Sequence, residues 1–207
     1  MIIDEVQTGF GRTGRMFAFE HAGITPDVVT LSKAIGGSLP LAVLVYRKEL
    51  DGWLPGAHAG TFRGNQLAMA AGSATLRHIR GEGLPEHAGL MGNLLLGRLR
   101  QLQAHYPQLG DVRGRGLMIG VEVIDPEGTA DASGLPANTA LARQIQAECL
   151  KRGLILELGG RRGAVVRFLP PLIITERQID HVVEIFSVAT GAALEAARRR
   201  SSQTAGT

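Results

Sequence analysis

The sequence predicts an α/β segment followed by an α+β one, with a long helix between them. Three observations carry this. Near-unbroken apolar runs open the chain at Met1 to Ile3, Asp27 to Leu31 and Leu41 to Tyr46, as in strands of a sheet covered on both faces. Two helical patterns follow, at 66–80 and 84–105. Beyond residue 107 short strand-like and helix-like runs alternate around a polar loop. The predicted division is 1–82, a connecting helix over 83–106, and 107–207.

Each element has a local cause. Met1 to Ile3 is met at once by Asp4 and Glu5, so a buried strand delivers acids at its carboxyl end. Gly9 to Gly14 reads as a glycine-rich loop. Ser32 and Lys33 close the second strand, and residues 52–65 are turn-rich. Gln66 to Arg80 is small and apolar, as in a buried helix, whereas Leu84 to His105 is amphipathic and ends at Tyr106-Pro107.

The second part opens with strands at Val112 to Gly116 and Leu117 to Val123, then a polar loop from Asp125 to Pro136. Thr139 to Arg152 is helical, with Gly153 as a natural cap. Strands are expected at Leu154 to Leu158 and Val165 to Phe168. Thr175 with Gln178 makes a capping box that starts a helix to about Thr190, continued by a tail that frays.

Composition bounds the function. The chain is 44% hydrophobic and 20% charged, which excludes wholesale disorder and supports a real core. A net charge of +3 is too balanced to imply nucleic acid, and Arg198 to Arg200 read as a solvated helix end. The single cysteine, Cys149, cannot form an intrachain disulfide and reads as a core thiol. No zinc-type cluster, membrane span or signal peptide is legible, so no metal is expected and a cytoplasmic location is the default.

Gly9-Phe-Gly-Arg-Thr-Gly14 fits G-x-G-x-x-G, but five residues separate it from the strand and no packing helix follows. A loop that needs positive φ explains it better than a dinucleotide site. The stronger constellation is Asp4-Glu5-Val6-Gln7 with Gly9, Arg12 and Gly14, followed by Ser32-Lys33-Ala34-Ile35-Gly36-Gly37. It sets a carboxylate and a lysine at the carboxyl ends of strands, where open α/β sheets bind ligands. A buried lysine is costly unless paired or chemically used. Two readings stand: a plain Asp4–Lys33 ion pair, or a ligand site.

These blocks resemble the class III (ω-amino) aminotransferases, which are pyridoxal-phosphate enzymes of fold type I. The likeness continues through His58-Ala-Gly-Thr61-Phe-Arg-Gly-Asn65, Val112-Arg-Gly-Arg-Gly-Leu117 and Arg167-Phe-Leu-Pro-Pro-Leu172, in the family's order, to about residue 190. The resemblance implies that residues 1–82 belong to the cofactor-binding large domain and 107–207 to the small domain. It implies that Lys33 forms the aldimine with the cofactor aldehyde and moves the substrate proton, and that Asp4 keeps the pyridine nitrogen protonated. Gln7 would meet the phenolic oxygen, Thr61 the phosphate in the site of the other subunit of a homodimer, and Arg167 the substrate carboxylate. The plainer roles are a loop amide for Gln7, a turn threonine for Thr61 and a surface strand arginine for Arg167. Glu5 braces the Asp4 loop or is structural, and His21 and His58 read as structural.

Within the family, the stretch Gly36 to Gly72 most resembles the diaminobutyrate–2-oxoglutarate aminotransferases, with Arg63 and Gln66 replacing a Gly and a Pro usual in ornithine and 4-aminobutyrate enzymes. The implied reaction moves the ω-amino group of L-2,4-diaminobutanoate to 2-oxoglutarate. Ornithine, acetylornithine or 4-aminobutyrate transamination is the alternative, or a chain with no activity of its own. Family members are longer, so the resemblance implies a C-terminal half. A strand left without its neighbours predicts exposed apolar surface.

Overall fold

The computed structural model describes residues 1–130, 132 and 134–204, the last four without their side chains. The polar-loop residues Asp131 and Ser133, and the last three of the expected tail, lie outside the described residues. The chain divides into two compact units, Met1–Gly89 and Leu90–Thr207.

The first unit holds a three-stranded sheet of order β1-β2-β3, from β1 (Ile2–Asp4), β2 (Val28–Leu31) and β3 (Val43–Tyr46). β1 and β2 are parallel, with Ile2 opposite Val28 and Asp4 opposite Thr30. β3 returns antiparallel, with Val29 opposite Val45. Short apolar runs do not by themselves set strand direction, and here the connection from Ser32 to Leu41 is too short for a crossover helix. The expectation of a sheet buried on both faces is corrected. Ile2 is 70% exposed, Leu44 47% and Val45 53%. Among the described residues β1 pairs only with β2, and within it Ile2 is exposed while Ile3 is half-buried.

The face that carries Val29 and Leu31 is covered over β2 and open at Val45 of β3. Phe10, Val29, Leu31, Ile35 and Ile79 form the core, with Met16, Phe17 and Phe19 packed against it. Phe10 meets Phe17 edge-on at 5.9 Å, and Phe17 stacks on Phe19 at 5.4 Å. The loop over Gly9 to Gly14 is therefore a core-covering turn, and only a short 3-10 segment, Ala18–Ala22, follows it. The helix α1 (Gln66–Gly81) starts where the Asn65 side chain accepts the Ala68 N–H at 3.1 Å. Ala68, Gly72 and Ile79 form its buried face.

The helix α2 (Leu84–His105) has the predicted bounds. In the second unit a four-stranded antiparallel sheet has the order β4-β5-β7-β6, from β4 (Leu109–Arg115), β5 (Met118–Val123), β6 (Glu157–Gly159) and β7 (Val165–Phe168). β5 alternates as a one-faced strand should, with Ile119, Val121 and Val123 buried. Leu154 to Leu156 precede β6 and are not strand, which shortens the predicted element.

The helix α3 (Thr139–Lys151) buries Leu141, Ala142, Ile145 and Cys149. Gly153 has φ +82°, and its N–H reaches the Leu150 carbonyl at 3.0 Å, as a helix-ending glycine should. The capping box forms: Thr175 N–H donates to Gln178 Oε1 at 2.9 Å, and Gln178 N–H to Thr175 Oγ1 at 3.4 Å. The helix it opens, α4 (Glu176–Thr204), runs on past Thr190 without a break. Thr190 is buried, and its hydroxyl donates to the Phe186 carbonyl at 2.8 Å, so a polar residue inside the helix is satisfied without ending it. No helix among the described residues is long and apolar enough to cross a membrane.

Candidate active site

The parallel pairing of β1 and β2 sets their carboxyl ends on one edge of the first sheet. Asp4 is the last residue of β1, and Lys33 follows β2 after Ser32. Topology thus brings together two residues that are 29 positions apart in the chain, counting from 4 to 33.

Lys33 opens a 3-10 turn, Lys33–Gly36, and its own backbone is left-handed, at φ +52°. That conformation costs a non-glycine residue about 1–3 kcal/mol and persists only where its surroundings impose it. Here they do. Ser32 Oγ donates to the Leu41 carbonyl at 3.0 Å, and Ile35 and Gly36 are buried beneath the turn. The helix α1 presses on it through Gly72, where a Cβ would stand 2.8 Å from the Ile35 carbonyl oxygen. The expected burial of Lys33 is corrected. The side chain is exposed, so the burial cost does not arise, and the feature that sets this lysine apart is its backbone.

Asp4 is also exposed, and its Oδ1 accepts the Val6 N–H at 2.9 Å. Among the described residues no ion pair joins Asp4 to Lys33. Gln7 is half-buried in the turn that follows. Arg12, in the same loop, is partly buried, and burial lowers its guanidinium pKa from the ordinary value. His21 Nε2 lies 3.0 Å from the Thr13 carbonyl, a structural role.

Thr61 lies in an exposed turn ahead of Asn65. The whole stretch 51–67 is exposed, with Trp53 at 52%, Leu54 at 77% and Phe62 at 88%. His58 there meets the Trp53 ring edge-on at 5.5 Å.

Arg167 belongs to the second unit, in the centre of β7. Its register neighbours are Gly120 of β5 and Glu157 of β6. Nη1 donates to Glu157 Oε2 at 3.4 Å. A Cβ on Gly159 would lie 2.9 Å from Arg167 Cδ, so the arginine side chain runs over the space that this glycine leaves open. The turn between β6 and β7 is tied down beside it. Arg161 Nε donates to Glu122 Oε1 at 2.6 Å, Arg113 Nη1 reaches Glu122 Oε2 at 3.2 Å, and Thr139 Oγ1 donates to the Arg162 carbonyl at 2.8 Å. Sequence reasoning missed Glu157 and Gly159. The available signal was an acid inside an apolar strand, Leu156-Glu157-Leu158, next to a strand carrying an arginine.

The arrangement offers one carboxylate, one primary amine and one carboxamide near a sheet edge, and a guanidinium in the second unit. The profile of the family described as "Aminotransferase class-III" matches residues 1–190. A diaminobutyrate–2-oxoglutarate aminotransferase from Rhizobium meliloti is 57% identical over 202 residues, which are 97% of this chain and 42% of that protein. One from Haemophilus influenzae is 51% identical over 199 residues, 96% of this chain and 44% of that protein. A transaminase structure from the marine bacterium Virgibacillus superposes with a TM-score of 0.84 at 30% identity, over 94% of this chain and 45% of that one. The chain thus spans less than half the length of these relatives.

Proposed function

The chain belongs to the class III aminotransferases, with part of the fold type I architecture, and from that membership we propose that it supplies catalytic residues to a transaminase. The donor in this reading is L-2,4-diaminobutanoate and the acceptor 2-oxoglutarate, giving aspartate 4-semialdehyde and glutamate. Relatives of that name at 57% and 51% identity support the choice of substrates. The observation that carries the reading is the shared carboxyl edge of β1 and β2, which holds both Asp4 and Lys33.

The cofactor of the family is pyridoxal 5′-phosphate, which supplies an aldehyde that carries the amino group and a ring that accepts electrons. The donor set fits it: a carboxylate for a protonated ring nitrogen, an amine for the aldehyde, and an amide for the phenolic oxygen. Asp4 holds the ring-nitrogen proton, because a nearby negative charge favours the protonated form. Gln7 hydrogen-bonds the phenolic oxygen. The Lys33 amine moves the proton at the donor's ω-carbon, and its exposure leaves it free to reach that atom. Arg167 grips a substrate carboxylate with its planar fork.

The proposal extends to assembly. Residues 1–82 act as part of the cofactor-binding large domain, 83–106 as the connecting helix and 107–207 as the small domain. A second copy of the chain covers the exposed stretch around Trp53, Leu54 and Phe62, and Thr61 binds the cofactor phosphate in that copy's site.

The test is borohydride reduction of the protein mixed with pyridoxal phosphate, followed by peptide mapping, and an amino-donor panel against 2-oxoglutarate. Label on Lys33, lost in Lys33→Ala, with preference for L-2,4-diaminobutanoate, is the expected result. Activity that survives Lys33→Ala rejects the catalytic assignment.

A further inference from the structure

Asp4 and Glu5 are consecutive carboxylates with opposite surroundings. Neighbouring residues of an extended chain point to opposite faces. Asp4 is exposed, whereas Glu5 is 1% exposed, among the most buried side chains of the first unit.

Burying a carboxylate is costly unless it is hydrogen-bonded. Both oxygens of Glu5 are. Thr8 Oγ1 donates to Oε2 at 2.5 Å, and the Phe19 N–H donates to Oε1 at 2.9 Å. The backbone of Glu5 is held too. Its N–H donates to the Thr30 carbonyl at 3.0 Å, one step beyond the last β1 residue, and its carbonyl accepts the Gly9 N–H at 3.0 Å. The approach at Gly9 is close: a Cβ there would stand 2.9 Å from the Glu5 carbonyl oxygen. Glu5 therefore ties the sheet edge to the turn at 8–9 and to the start of the 3-10 segment at Phe19.

Gln7 lies inside the loop that these bonds close, and Asp4 is bonded to it through the Val6 N–H. An apolar side chain of the same length would fill the core equally well but would release Thr8 and Phe19.

We propose that Glu5 is a positioning residue, whose buried carboxylate sets the aim of Asp4 and Gln7 at the cofactor. The inference rests on the reading of Asp4, Gln7 and Lys33 as cofactor ligands.

The test compares Glu5→Met, Glu5→Gln and Thr8→Val in the protein titrated with pyridoxal phosphate. The readouts are the dissociation constant, the pH dependence of the bound cofactor's visible band, and the thermal midpoint of the cofactor-free protein. Glu5→Gln keeps an acceptor for Phe19 and a polar partner for Thr8, so it stays near wild type. Glu5→Met binds the cofactor about tenfold more weakly and shifts the pH profile, the scale of losing a buried hydrogen bond to a charged group. Thr8→Val does the same to a smaller extent and serves if Glu5→Met does not fold. A Glu5→Met protein that melts earlier but keeps both the dissociation constant and the pH profile overturns the inference. So does an unfolded Glu5→Met together with a folded Thr8→Val that binds as wild type. Asp4→Ala separates the two layers: unchanged cofactor binding in Asp4→Ala rejects the site reading itself, whereas loss in Asp4→Ala with none in Glu5→Met rejects only the role of Glu5.

Discussion

Glu157 stands directly across the β6–β7 pair from Arg167 and accepts its Nη1–H at 3.4 Å. The contact is long, and the Glu157 side chain is 65% exposed. Such pairs contribute about 0–1 kcal/mol. Glu157 thus makes a weak, solvent-screened contact with the guanidinium.

Substitutions at this pair separate binding from chemistry. Arg167→Lys keeps the charge but loses the fork, so KM for 2-oxoglutarate rises by about tenfold or more while kcat changes less. Glu157→Gln removes one charged partner of the guanidinium and is expected to lower the same KM by no more than about fivefold, the range of an exposed pair. Steady-state kinetics at varied 2-oxoglutarate checks both. Equal KM values in wild type and Arg167→Lys contradict the assigned role of Arg167.

Gly72 is where α1 touches the Lys33 turn. An added Cβ would stand 2.7 Å from Leu41 Cδ2 and 2.8 Å from the Ile35 carbonyl oxygen. Gly72→Ala is expected to destabilise the protein by about 1–3 kcal/mol despite the better helix propensity of alanine. It is also expected to slow borohydride labelling of Lys33, because the turn is pushed away. Denaturant melts and labelling rates measured on one sample test whether the two effects travel together.

Cys149 is fully buried in α3, and burial pushes its thiol up to about 11 from the ordinary 9.0. The thiol is neutral in the folded protein over a range where the unfolded chain has lost its proton. The unfolded state then binds fewer protons, so stability falls as pH rises. This contribution is intact below pH 9 and is lost between 9 and about 11. Cys149→Ser, compared with wild type by urea melts across that range, shows a flatter loss. Alkylation of the folded protein at neutral pH is expected to be slow and to speed up on unfolding.

Asn65 and Asn138 cap α1 and α3 by the same device, each accepting the N–H three residues on, at 3.1 and 3.0 Å. Either Asn→Ala change is expected to cost about 1 kcal/mol. Hydrogen exchange in the first turn of each helix locates the loss, and protection unchanged in Asn138→Ala speaks against the cap as the source.

Local chemistry made much of the molecule legible. The bounds of α2 follow from its amphipathic period and from Tyr106-Pro107. Thr175 and Gln178 announce the start of α4, and Gly153 the end of α3, because caps are interactions between near neighbours. Asp4, Gln7 and Lys33 were legible as a constellation because they sit in short motifs with strand-like runs before them. Glu157 was not, since its partner across the sheet is ten positions away and register is a property of two strands.

The sequence by itself determined the succession of elements, their caps and the reactive residue types, all of which depend on a few adjacent side chains. Tertiary structure alone decided the direction of β3, the exposure of Ile2 and Lys33, and the burial of Glu5 beside the exposed Asp4. These depend on which surfaces meet across the sheet. Pattern can mark a residue as apolar or acidic, but only packing supplies the neighbour that hides it or leaves it in water.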